Sequence, residues 1–313
     1  MDNKTLYIKL AREQKDLPLF MQPWWMDIVC KDWNVAMVPN GDKIAGAWAY
    51  PLEKKLGVTM LRTPLLTPYL GPKIFYPDDI KESNTDRFEH DTVSALLKQL
   101  PEAKVWHLSM PPGLKQAGIF KNYDLDQSVQ QTFLIDLGMT EELLLANMKD
   151  TMRRNIRAAE KEVKIVNDPS CLKQLFDFQK QTLTKKGNPP AYSFAYLDRI
   201  MKACLANNSA ALWVAKANGN IQAIVWQVWD NNCSYYFMGG QNQEANSYKA
   251  MSLLLWHVIK EAKNRNQSTF DLEGSMDDGV ERFFRNFGGR RELYLVLHKN
   301  DSVLWQLKKM VRK

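Results

Sequence analysis

Cysteine and histidine are scarce in this chain, with four of each in 313 residues. Cys30, Cys171, Cys204 and Cys233 lie far apart, no C-x-x-C pair occurs, and the histidines show no ligand spacing. This argues against a disulfide framework and a structural zinc site, and reads as reduced thiols in a cytoplasmic protein with no metal. No run of about 18 apolar residues occurs, so no transmembrane helix is expected. The opening stretch MDNKTLYIKLAREQKD is too charged for a signal peptide. Long segments of low hydrophobicity are missing as well, which excludes a disordered chain.

What is present is ordinary globular material. Hydrophobic residues make up 45% and charged residues 25% of the chain, enough to build a buried core. The length suits two domains of about 150 residues each. A net charge of +7 favours anionic partners: a phosphorylated or nucleotide-containing small molecule, coenzyme A, tRNA or an acidic membrane surface. The same excess also serves plain solubility.

The first half reads as a strand at Leu6–Leu10, an aromatic helix around Leu19–Cys30, and strands at Val35–Val38 and Lys43–Pro51 joined by the turn Asn40-Gly41. A strand at Val58–Arg62, a helix near Asp91–Leu100 and strands at Lys104–Leu108 and Gln131–Leu137 follow. The second half opens on one long helix capped by Thr140, with Leu145, Met148, Met152, Ile156 and Ala159 forming its apolar stripe. A strand at Val163–Val166 leads to a helix entered at Asp168-Pro169 and another at Phe194–Leu205. Three strands then run as a meander, Ala211–Ala217, Ile221–Trp229 and Cys233–Met238, parted by Asn218-Gly219 and Asp230-Asn231-Asn232. A helix over Lys249–Lys263, a strand at Thr269–Leu272, a helix at Asp278–Asn286, a strand at Glu292–His298 and a basic terminal helix complete the chain. Antiparallel strands in the middle with helices on either side predict a mixed sheet flanked by helices.

This element order resembles the GNAT acyltransferase fold. Two stretches sharpen the likeness to its FemAB-like branch. MKDTMRRNIRAAEKEVKIV, residues 148 to 166, resembles the basic helix that runs into a short strand. FDLEGSMDDGVERFFRNFGG, residues 270 to 289, is similar to the group's block of an acidic strand end, a helix and a closing Phe-Gly-Gly. FQKQTLTKKG, residues 178 to 187, resembles the helix after the second lobe's first strand. The resemblance implies a mixed α+β and α/β architecture of two GNAT-like lobes, each a mostly antiparallel central sheet flanked by helices. Residues 1–137 form a degenerate N-terminal lobe and 138–313 the FemAB-like lobe. It implies an N-acyltransferase that moves an acyl or aminoacyl group to an amine of a small or peptidoglycan-precursor-like acceptor. Acyl-CoA or aminoacyl-tRNA serves as co-substrate, and no cofactor is tightly bound. The competing reading is a catalytically silent two-lobe binding protein for an anionic ligand.

The residues carry these expectations unevenly. Lys149, Arg153, Arg157 and Lys161 recur every four residues, either as a phosphate-binding stripe, with Arg153 and Arg157 foremost, or as a solvated face of ion pairs. Asp271 and Glu273 end a strand and are expected to point the same way, where a carboxylate takes a proton from an attacking amine. Gly274 admits backbone amides close to a carbonyl oxygen. Asp271 and Ser275 alternatively just cap the next helix. Relatives that use tRNA are expected to carry a lysine where Phe284 stands, and Arg285 is the neighbouring substitute. The stretch GGQNQEANSYKAMS from Gly239 lacks the later glycine of a coenzyme A turn, leaving Tyr248 and Lys249 to face an anion at the helix start. Of Tyr235 and Tyr236, on opposite faces of one strand, only one lines a cleft; Tyr236 is the candidate. His107 and His257 read as core residues. The C-terminal LKKMVRK reads either as a membrane-surface or RNA contact or as a solvated helix.

Overall fold

The computed structural model describes residues 2–14, 16–244, 248–274 and 276–301, the side chain of Tyr248 excepted. The terminal basic segment, expected as a helix, lies outside the described residues.

The chain divides into two compact units. One runs from the N-terminus through Gln130 and takes in the segment from Leu293; the other is Gln131–Glu292. The chain passes out of the first unit at Gln130 and back into it at Leu293.

The first unit contains helix α1 (Asn3–Glu13), helix α2 (Pro23–Val29), and strands β1 (Trp33–Asn40), β2 (Lys43–Pro51), β3 (Glu53–Lys55), β4 (Val58–Arg62) and β5 (Lys73–Ile74). Helix α3 (Glu82–Leu97) and strand β6 (Val105–Ser109) follow. The expected strand at Leu6–Leu10 is helical instead. Asp2 caps it, accepting from the Thr5 amide at 2.8 Å. Its buried face is Tyr7, Leu10 and Ala11 at helical spacing, so the alternation of Leu6, Ile8 and Leu10 is incidental. Helix α3 also starts nine residues before the expected Asp91, at Glu82.

Strand β7 (Asp126–Asp136) carries the chain into the second unit. There the order is α4 (Glu141–Asn147), α5 (Asp150–Ala159), β8 (Lys164–Asn167), α6 (Leu172–Lys185), α7 (Phe194–Ala206), β9 (Ala210–Ala217), β10 (Asn220–Trp229) and β11 (Cys233–Gln241). Helix α8 (Tyr248–Asn264), β12 (Thr269–Asp271) and α9 (Asp278–Arg285) follow, and β13 (Arg290–Asn300) carries the chain back into the first unit. The second unit's strands lie in the order β7-β12-β11-β10-β9-β8. All neighbours are antiparallel except β11 and β12. Alternation along β10 sets the two faces. Ala223 and Val225 join a core with α4, α5, α8 and α9. The other face is covered by α6 and α7, packed on β11 and β9.

One correction bears on the site. The expected long helix is broken between α4 and α5, where Met148 and Lys149 are extended with ψ of 151° and 145°. The break docks the chain on the turn after α9: the Lys149 amide donates to Asn286 O at 3.0 Å, and Gly288 lies so close that a Cβ there would sit 2.5 Å from Asn147 O. Lys149 is therefore a cap residue outside the helix, and the four basic residues do not form one helix face.

Candidate active site

Strands β11 and β12 run parallel and pair only over Cys233–Tyr235 and Thr269–Asp271. Beyond that point β11 continues through Gln241, still paired with β10 on its other edge. The chain leaving β12 turns away at Glu273 and Gly274, both in left-handed conformations with φ of 52° and 42°. No described strand accompanies Tyr236–Gln241 on that side, so a wedge about 20 Å long opens between the parting chains.

The turn is dictated by packing. A Cβ at Gly274 would lie 1.9 Å from Gln131 O and 2.7 Å from Thr132 Cα, so only glycine lets the turn pass β7. The glycine thus serves the contact with β7, a different need from the expected approach to a substrate carbonyl. Asp271 is buried beside it, accepting from Thr132 Oγ1 and, at 2.7 Å, from the Glu273 amide. Glu273 lies past the end of β12 in a left-handed turn, so strand alternation does not set its direction relative to Asp271.

Glu273 Oε1 is enclosed and has no hydrogen-bond partner among the described residues. Burial first, and the Asp271 charge second, push its carboxyl well above the usual carboxylate range. Tyr236 stands on β11 where the wedge begins. Burial, and then the charge of Glu273, raise its phenol above the ordinary tyrosine range, so it stays protonated. Its ring meets Phe284 edge-on at 5.1 Å between centroids. Where a lysine was expected in tRNA-using relatives, this chain has a buried aromatic that holds Tyr236 in place.

A β-bulge at Phe237 sets where the Tyr236 hydroxyl points. Tyr236 pairs with Gln227 and Met238 with Trp226, leaving Phe237 extra. The bulge puts Tyr236 and Gly239 on one face, and a Cβ on Gly239 would fall 1.7 Å from the Tyr236 hydroxyl. Gly240 faces the opposite way, where a Cβ would meet Phe178 Cβ of α6 at 2.8 Å. The glycine pair therefore makes room for a tyrosine on one face and a helix on the other.

The end of α6 reaches both lips of the wedge. Gln179 donates to Gly239 O, Gln243 donates to Thr182 Oγ1 at 2.9 Å, and Lys185 donates to Gln243 Oε1. Lys186 pairs with Asp277, the residue that caps α9 by accepting from the Gly279 and Val280 amides. The Lys186 bond first, and the cap amides after it, lower the Asp277 carboxyl. Beside this, α6 and the start of β10 border an open polar groove of about 590 Å³ that includes Gln174, Asp177, Gln181, Asn220 and Glu244.

The other expected residues take separate places. Arg153 folds back to donate to Leu145 O, Ala146 O and Met148 O at 3.0–3.3 Å and pairs with Asp150, closing the end of α4. Arg157 is exposed in the last turn of α5. Arg285 pairs with Glu281 at 3.7 Å one helical turn away. Lys249 is exposed in the first turn of α8. Ser275 and the side chain of Tyr248 lie outside the described residues. His107 is exposed, not core, while His257 is half-buried against the Trp213 ring at 4.6 Å. Among the described residues no group of three or more His, Cys, Asp or Glu side chains is placed to hold a metal, and no helix is long and apolar enough to cross a membrane.

Residues 146–285 match the model of the acetyltransferase (GNAT) domain. No curated protein matches the chain. Among solved structures, FemX superposes with a TM-score of 0.72 at 13% identity, covering 97% of this chain and 98% of that one. L-PGS from Bacillus licheniformis gives 0.53 at 12% identity, covering 99% and 97%. A tandem GNAT protein from the clavulanic acid biosynthesis pathway gives 0.52 at 8% identity, covering 96% of each. Residues 146–285 are thus similar to a GNAT domain, and the chain shares the fold of FemX, a mixed sheet flanked by helices.

Proposed function

We propose that the protein is an N-acyltransferase whose reaction takes place in the wedge between β11 and β12. The observation that carries this reading is the Glu273 carboxyl, whose enclosed Oε1 has no hydrogen-bond partner among the described residues where the strands part, with the Tyr236 hydroxyl beside the same opening. A buried carboxyl without a partner opposes folding, and such groups concentrate where a proton must be moved. The GNAT domain match and the FemAB-like fold support the same reaction class.

In this reading the acceptor ammonium gives one proton to the Glu273 carboxylate, whose raised pKa makes it a stronger base. The freed amine attacks the activated carbonyl of the donor, a C–N bond forms, and the C–S or C–O bond to the leaving group breaks. The leaving thiolate or alkoxide takes a proton from Tyr236, which recovers one from the amide nitrogen as that nitrogen sheds its second. Glu273 returns its proton to solvent. Asp271 positions the turn through the Glu273 amide and does not itself receive the proton.

The donor is an acyl-CoA or an aminoacyl-tRNA, and both present an activated carbonyl on a phosphate-bearing carrier. Thermal stabilisation tests the choice, because a ligand at about 100 times its Kd adds about 2.7 kcal/mol to the folded state. Stabilisation by acetyl-CoA or longer acyl-CoAs, followed by acylation of a primary amine, supports the reading. No shift with acyl-CoA or aminoacyl-tRNA, and no amide product, refutes it and favours a silent binding protein.

A further inference from the structure

We propose that Lys185 and Lys186, at the end of α6, form the site that holds the donor's phosphate. The inference rests on the acyl-transfer reading and adds to it the groups that anchor the donor's carrier. Donor recognition in the wedge calls for positive charge at its mouth. The connection after β11 has no glycine between Gln241 and Glu244, so its backbone is poorly suited to wrap a phosphate with amides. Arg153 is occupied in closing α4, and Arg285 pairs within its own helix. Among the described residues, Lys185 and Lys186 reach the two lips, one to Gln243 after β11 and the other to Asp277 at the start of α9.

Their present partners are exchangeable. Gln243 is neutral, and the Lys186–Asp277 pair is exposed, at 47% and 41% of the side chains, a setting in which an ion pair contributes no more than about 1 kcal/mol. A phosphate offers more oxygens and more charge than either partner. At Lys186 it would also meet the amide end of α9, which Asp277 now occupies. Asp277 therefore acts as a built-in stand-in for the phosphate. Acyl-CoA and aminoacyl-tRNA both supply the required group, and the site reads only what they share.

The test measures binding of inorganic pyrophosphate, coenzyme A and deacylated tRNA by calorimetry at two salt concentrations. Lys185→Ala/Lys186→Ala is expected to weaken the bound probe at least tenfold and to flatten its salt dependence. Asp277→Asn keeps the helix cap, since Asn caps as well as Asp, and is expected to tighten the probe two- to fivefold by freeing Lys186. A merely structural latch would not give these opposite directions. Unchanged affinity in the double lysine variant, loss of affinity in Asp277→Asn, or no binding of any probe to the wild type each overturns the site. A response with coenzyme A alone identifies it as the source of the phosphate, and a response with tRNA alone identifies tRNA. Should an exposed-surface change unexpectedly unfold the chain, Lys185→Gln/Lys186→Gln repeats the measurement with the side-chain bulk retained. Phosphate binding that follows these rules without any acyl transfer would sink the acyl-transfer reading and leave the site standing.

Discussion

Replacing Glu273 by glutamine should make the protein more stable and less active. The enclosed carboxyl is raised well above its ordinary range, chiefly by burial. At pH values between its unfolded and folded pKa, the folded chain holds a proton that the unfolded chain has released. Stability therefore falls as pH rises through that window, by about 1.4 kcal/mol per pH unit, and the slope vanishes below the ordinary glutamate range, where both states are protonated. Glutamine keeps the shape and removes the ionisation. Urea denaturation at a series of pH values should show Glu273→Gln level with the wild type in acid and increasingly more stable towards neutral and alkaline pH. Turnover of an acyl donor should fall by about 10²- to 10⁴-fold, the usual contribution of a positioned base, and the rise of rate with pH should disappear. An unchanged pH slope of stability, or a variant destabilised at every pH, would show that Glu273 is ionised and satisfied in the fold and would remove it as the base.

Tyr236→Phe removes only the hydroxyl that lies over Gly239, so folding should be preserved while kcat drops about tenfold to a hundredfold; equal kcat with donors of good and poor leaving groups would rule out the phenol as the proton source. Gly274→Ala combines a left-handed backbone with a Cβ 1.9 Å from Gln131 O and should destabilise the second unit by about 3–5 kcal/mol in urea melts, whereas a loss below about 1 kcal/mol would mean that the turn relaxes freely away from β7. Arg153→Ala uncovers three carbonyls at the end of α4 and should lower stability by about 1–2 kcal/mol with phosphate affinity unchanged; a large loss of phosphate affinity at constant stability would instead return Arg153 to a binding role.

Much of the second unit is readable residue by residue because its signals are local. Asn218-Gly219 and Asp230-Asn231-Asn232 part three strands as turn signals should, and Thr140 caps α4 as its position suggests. The errors occur where a distant contact overrides a local pattern. Nothing in Asn147-Met148-Lys149 marks a helix break, since no proline or glycine is there; the break exists because the turn at Asn286–Gly288 presses on it. Leu6, Ile8 and Leu10 alternate like a strand, yet only the face with Tyr7 has a core to bury against.

The same division holds at the site. Asp271 and Glu273 are visible in the sequence as an acidic strand end, but their different environments are not. Those follow from β7 pressing on Gly274, which turns the chain at Glu273 and leaves Asp271 tied to Thr132, 139 residues away. Tyr236 and Gly239 would face opposite sides of a regular strand, and the bulge at Phe237 brings them together. The lysines of α6 resemble an ordinary solvated helix end until their partners, 58 and 91 residues along the chain, are in place. A bulge, a glycine wedged under a neighbouring strand and a cross-chain ion pair share one property. Each depends on which backbone passes close by, so residue type and spacing along the sequence do not encode it locally. Chemistry in this fold is concentrated at such points, because a carboxyl stays unpartnered only where the surrounding packing leaves it no choice.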